Sequence, residues 1–185
     1  MRYLTFRANN NLKEFGMKYL FLTVLITVFT SVGLGQNFSK LESIPLNDAE
    51  DCINAEPQVL ECCNYLLSTP CVEDKKSMLA FQFVFKWMTE TKSYTFKIGN
   101  LFVAVSNSAK SNKEITRRFL VSMVKRALTD NPEVMDEEFT IKYITTFAEY
   151  CENPKFKVPQ SSFTKKMIKA KNTNTLDKFL RDYAD

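Results

Sequence analysis

Residues 76–91 read KSMLAFQFVFKWMTET, and two secondary structures compete for them. Phe81, Phe83, Phe85 and Trp87 alternate, which is the period of a half-buried strand. Leu79, Phe83 and Trp87 also stand four apart, as do Phe81 and Phe85 with Met88 three further on, which is the spacing of helix neighbours. Flanks and length decide between them. The run exceeds ten residues, charged residues precede it, and no hairpin turn follows it. The stretch is therefore expected to be a helix that is apolar almost all round, and such a helix belongs in the centre of a bundle.

The flanking sequence extends this reading. Upstream, NDAE at 47–50 has the form of a capping box, with Asn47 as cap and Glu50 reaching back. Ala49, Cys52, Ile53, Val59, Leu60, Cys63 and Leu66 follow at near-helical spacing. Pro57 interrupts them and is expected to kink or split that helix, because it removes a backbone donor. Thr69 and Pro70 have the character of an N-cap and a first helical residue, and are expected to start the helix over 76–91.

Downstream, residues 93–100 read as a loop or short extended piece, and 101–110 as a short helix or, failing that, a strand. Ser111 with Glu114 forms a second capping-box pattern. The helix it opens runs to about Leu128, with Ile115, Phe119, Met123 and Ala127 on one face and Leu120, Val124 and Leu128 beside them. DNPE at 130–133 ends it. Asp136, Glu137 and Glu138 favour the positive end of the next helix, which carries Phe139, Tyr143, Ile144, Phe147 and Cys151 and stops at Pro154. Beyond Pro159, Leu176, Phe179, Leu180 and Tyr183 recur at i, i+3, i+4, i+7. The expected fold is all-α, a compact bundle of six or seven helices with short Pro-marked turns.

The N-terminal part reads as an address. Lys18 precedes an uncharged apolar run from Tyr19 to Leu34, and Gly33 and Gly35 are small residues before Gln36. This is the layout of a signal peptide over residues 1–35, with Met17 a second candidate start. The 16-residue run falls short of the roughly 20 residues a membrane-spanning helix needs. Export to the periplasm or the extracellular space is thus expected; anchoring by an uncleaved segment is the alternative. Residues 36–46 read as a flexible lead-in and 47–185 as one helical domain. NFS at 37–39 is a glycosylation pattern, short enough to arise by chance.

Residues 1–35 hold four Lys/Arg and one Glu, which accounts for three of the four net positive charges and leaves +1 for the rest. That gives no argument for nucleic acid as a partner. The chain has no His, which removes Ser-His-Asp and Cys-His catalysis and imidazole metal sites. Gly99 is the one glycine after residue 35, so no glycine-rich phosphate loop can form. No cofactor, metal ligand set or catalytic constellation is expected.

Four of the five cysteines fall between Cys52 and Cys71. In an exported chain cysteines usually pair. Cys62 and Cys63 are adjacent and diverge by about 100° on a helix. Cys52 and Cys63 share a stripe but stand about 16 Å apart, beyond any bridge. Cys62 or Cys63 with Cys71 or Cys151 are the candidate disulfides, and small core residues are the competing reading. If Pro70 opens a helix, Cys71 lies in its first turn, where the dipole favours a thiolate; Glu73 and Asp74 oppose it.

Two further features bear on function. The aromatic residues fill a core on the plainest reading; alternatively Phe81, Phe85, Trp87, Phe119 and Phe147 bound an apolar cavity. Residues 41–61 carry six acidic and no basic residues, whereas eight Lys/Arg face three Asp from Lys155 onward. Solvated faces explain both; the two segments could also lie together, or the basic tail could meet another exported protein or an anionic surface. The expected function is a non-catalytic binding or structural module. The alternatives are a carrier of a small hydrophobic ligand and a thiol-dependent redox protein using Cys71.

Overall fold

A computed structural model describes residues 38–109 and 112–183. Among them are seven α-helices, two short 3-10 helices and no strand. The helices are α1 (Ala49–Ser68), α2 (Lys75–Glu90), α3 (Asn100–Ala109), α4 (Lys113–Asp130), α5 (Glu137–Glu152), α6 (Ser162–Asn172) and α7 (Leu176–Arg181). The helical reading of 76–91 holds, and 101–109 is helical rather than extended, Lys110 lying outside the described residues. The signal-peptide stretch lies outside the described residues, as does Asn37 of the glycosylation pattern.

Local chemistry sets the helix starts. Asp48, not Asn47, caps α1: its carboxylate accepts the Asp51 N–H at 2.9 Å. Asp51 in turn accepts from the backbone and side-chain nitrogens of Asn47, at 3.0 and 3.1 Å. The expected box is thus displaced by one residue, since Asp51 stands three beyond the cap that forms. Pro57 does not split α1. It sits on an exposed face beside exposed Ile53, so water can replace the donor that its ring denies to the Ile53 carbonyl.

The start of α2 differs more. Thr69 closes α1 and its hydroxyl donates back to the Tyr65 carbonyl at 3.0 Å. Asp74 caps α2, accepting from the Ser77 N–H and hydroxyl at 2.9 and 2.7 Å. Asp74 satisfies two donors of the first turn at once, and 70–74 is left as a loop. Asn112 caps α4, accepting from Glu114 N–H at 3.1 Å; Ser111 of the expected box lies outside the described residues. At the far end of α4, Asn131 takes a left-handed φ of 44° and donates to the Ala127 carbonyl, a conformation Asn tolerates well. α6 opens with a capping box formed by Ser161 and Thr164.

The core forms around α4, which packs against α1, α2, α3 and α5. α6 packs on α5 and α3, and α7 on α6. The central helix is therefore α4 and not α2, contrary to the reading of 76–91. α2 buries only Ser77, Ala80, Phe83, Val84, Trp87 and Met88. Trp87 donates its Nε1–H to the Cys52 carbonyl at 2.8 Å, which ties α2 to α1 through a satisfied polar group.

The lead-in is also ordered. Phe38–Ser43 is a 3-10 helix with Phe38 and Leu41 buried, and Leu46 is buried after it. Phe38 meets Tyr65 edge-on at 5.0 Å, and Lys76 Nζ lies 4.6 Å from the Tyr65 ring centre. These contacts fasten the segment over α1 and α2, and the described unit begins at Phe38 rather than at residue 47. Six residues of 3-10 helix are too few to show a period.

Candidate functional site

The five aromatic residues of the expected cavity do not converge. Trp87, Phe119 and Phe147 are fully buried core residues. Phe119 and Phe147 pack edge to face at 5.5 Å, and Tyr143 meets Phe119 in the same way at 5.6 Å. That arrangement fills space, as the ring quadrupoles prefer. Phe81 and Phe85 lie elsewhere, stacked on each other at 5.8 Å on the outer side of α2, with Phe85 46% exposed. Four residues apart on one helix, they share its outer face.

All five cysteines are buried free thiols. Burial raises Cys62 to about 12 and pushes Cys63 and Cys151 up as well. Cys71 is not in a helix. It sits in the 70–74 loop, where its N–H donates to the Phe156 carbonyl at 2.7 Å. Burial raises its pKa; Arg118 and a Tyr150 hydrogen bond pull the other way without prevailing. The premise of a helix-activated Cys71 thiolate is corrected: Asp74, not Thr69, caps the helix. Cys71 lies near enough to add to the upward push of burial on Cys151, and Cys62 and Cys63 remain together on α1.

Around Cys71 lies a buried polar cluster that pattern reading missed. Arg118 of α4 is wholly buried, and its Nη1 stands 3.0 Å from Glu114 Oε2, a charge contact without hydrogen-bond geometry. Arg118 also donates to the Tyr150 hydroxyl at 3.3 Å and to the Pro70 carbonyl at 3.4 Å. Tyr150 donates to the Thr69 carbonyl at 3.0 Å. Burial raises the Tyr150 pKa against the pull of Arg118, so its proton stays available for that bond. Arg117 pairs with Glu114 as well, reaches Glu73 at 3.8 Å and lies over the Phe81 ring at 5.5 Å. The cluster braces the 69–74 loop against α4 and α5. The available signal was Glu114 and Arg118 at i, i+4 beside the apolar face of Ile115 and Phe119.

The basic tail keeps its charge at the surface. Lys165, Lys166 and Lys169 stand exposed on α6, with Lys155 and Lys157 exposed in the segment before it. Among the described residues none of these five has a carboxylate in ion-pair range. Lys171 pairs with Glu152, and Arg181 with Asp177. The acidic residues of 41–61 do not cover the strip: α1 packs on α2 and α4, and no ion pair among the described residues joins the two segments. The opposite side of α6 is closed, with Phe163, Thr164, Met167 and Ala170 buried.

Among the described residues no His/Cys/Asp/Glu group has the arrangement of a metal site, and no helix is long and apolar enough to cross a membrane. In comparisons with known proteins the chain matches no family model, no curated protein and no solved structure.

Proposed function

We propose that the chain is an exported, non-catalytic binding module that meets an acidic partner surface through α6. The observation that supports this is the lysine strip. Six lysines and no acidic residue occur from Asn153 to Leu176, and five of them stand exposed and unpaired among the described residues. Like charges gathered on one face repel one another, and an anionic surface relieves that repulsion. Because the apolar side of α6 is committed to the core, the contact would be electrostatic rather than inserted, and screened by salt. The export half of the reading comes from the apolar run ending at Leu34 and the small residues before Gln36.

The test uses the full chain and the triple variant K165E/K166E/K169E. Retention of each on immobilised polyglutamate is measured at rising sodium chloride. The wild type should elute late and shift strongly with salt; the variant should elute early with an unchanged circular dichroism spectrum. Equal retention of the two would remove α6 as the contact. Intact mass of the secreted product tests the export half, which predicts a chain beginning at Gln36.

A further inference from the structure

One surface recess shares no lining residue with the lysine strip or the Arg118 cluster. It is a cleft of about 320 Å³ between the residues leading into α3, the first two turns of α5, and the end of α7. Its size reaches the lower end of the range of about 300–1,000 Å³ typical of small-molecule sites. Leu101, Tyr143 and Leu180 supply mostly buried walls. Lys97 and Arg181 bring two cations to it and Glu137 one anion.

Three observations favour a ligand with a definite character. Leu101, Met135, Tyr143 and Leu180 make the lining more apolar than polar. Among the described residues Arg181 is held by one exposed contact of 3.4 Å to Asp177, with its own side chain 72% exposed, so it is available to a ligand at little cost. Lys97 has no ion-pair partner among the described residues. An apolar wall with two available cations suits an amphipathic anion. The single carboxylate of Glu137 sets a limit, because a second negative charge on the ligand would meet it.

We propose that this cleft binds a small monocarboxylate with a compact apolar or aromatic body. The body lies against Leu101, Tyr143 and Leu180, and the carboxylate lies between Lys97 and Arg181. The site is independent of the lysine strip. It also places a small-ligand role at the surface, where the core aromatics leave no room for one.

The probe is 4-phenylbutyrate, titrated into the full isotope-labelled chain and followed by amide chemical shifts. 4-Phenylbutyramide and phenylsuccinate serve as the neutral and doubly charged comparators. Saturable shifts should be confined to residues 97–101, 135–143 and 180–183. The amide and the dicarboxylate should each bind about tenfold more weakly, in keeping with the loss of one charged hydrogen bond or the gain of one repulsion. K97Q/R181Q should weaken 4-phenylbutyrate by at least that factor while its spectrum elsewhere is unchanged. K165E/K166E/K169E should bind the probe as the wild type does. Absence of saturable shifts, equal binding of acid and amide, or loss of binding in the α6 variant with retention in K97Q/R181Q would each overturn the proposal. The last outcome would still leave the α6 reading standing.

Discussion

α2 and α4 invert the order their compositions suggest. α2 carries FQFVFKWM and only four charged residues, yet six of its sixteen residues are buried and Phe85 faces outward. α4 carries seven charged residues, yet ten of its eighteen are buried, Glu114 and Arg118 among them. Depth follows from how many neighbours a helix has. α4 meets four helices, so even its polar side must find partners inside. Glu114, Arg118 and Ser122 do so, the last by donating to the Arg118 carbonyl at 2.8 Å. α2 has fewer helix neighbours, and Phe81 and Phe85 stack at its side, Phe81 partly buried beneath Arg117 and Phe85 exposed.

The sharpest way to break this comparison is to unpair the buried charge. Arg118→Ala should cost about 3–5 kcal/mol, because buried Glu114 is left with the less buried Arg117 alone among the described residues, and the Tyr150 hydroxyl and Pro70 carbonyl lose a charged donor. The double variant Glu114→Leu/Arg118→Met should recover much of that loss. Urea unfolding of the three chains checks both statements; equal loss in single and double variants would mean that the brace matters through shape rather than charge.

Aromatic truncation compares the two helices directly. Phe119→Ala should lose about 3–5 kcal/mol as a core cavity opens. Phe85→Ala, on the outer face of α2, should stay within about 0.5 kcal/mol. Thermal melts rank the pair, and a large loss at Phe85 would show that its outer face is covered in solution.

The smallest effect concerns the cap that starts α2. Asp74→Ala should cost about 0.5–2 kcal/mol at neutral pH. Burial alone would raise the Asp74 pKa, but hydrogen bonds from Ser77 and the Lys76 N–H, with the nearby Arg118, hold it below the usual value. A depressed folded pKa means stability that is present above the unfolded value near 4 and lost as pH falls through the folded one. Wild type and Asp74→Ala should therefore converge in stability on acidification below about pH 4. A gap that persisted at acid pH would assign the effect to geometry and not to the carboxylate's charge.

Much of the architecture was legible because periodicity is local. The face of Ile115, Phe119, Met123 and Ala127, the face of Phe139, Tyr143, Ile144, Phe147 and Cys151, and the last helix from Leu176 all lie where their spacing put them. Near-absence of glycine and short Pro-marked breaks sufficed for an all-helical fold. Caps were legible only in kind. Asn47 against Asp48, and Thr69 against Asp74, are choices among adjacent good cappers, made by which turn buries its apolar side.

The site was less legible, because it depends on chain segments that meet from far apart. Nothing in the spacing says that Tyr150 reaches Thr69, that the Cys71 N–H meets Phe156, or that Lys97 and Arg181 share a cleft. The lysine strip is legible as composition, whereas its lack of acidic cover depends on α1 packing against α2 and α4. By itself the sequence determined the helices, their apolar faces and the chemistries that no histidine and one late glycine exclude, since these follow from residues within a turn or two of each other. Tertiary packing alone decided which helix is central, which aromatic rings face water and which charges are buried. Those outcomes depend on the number of neighbours each surface acquires, and a one-dimensional pattern does not carry that number.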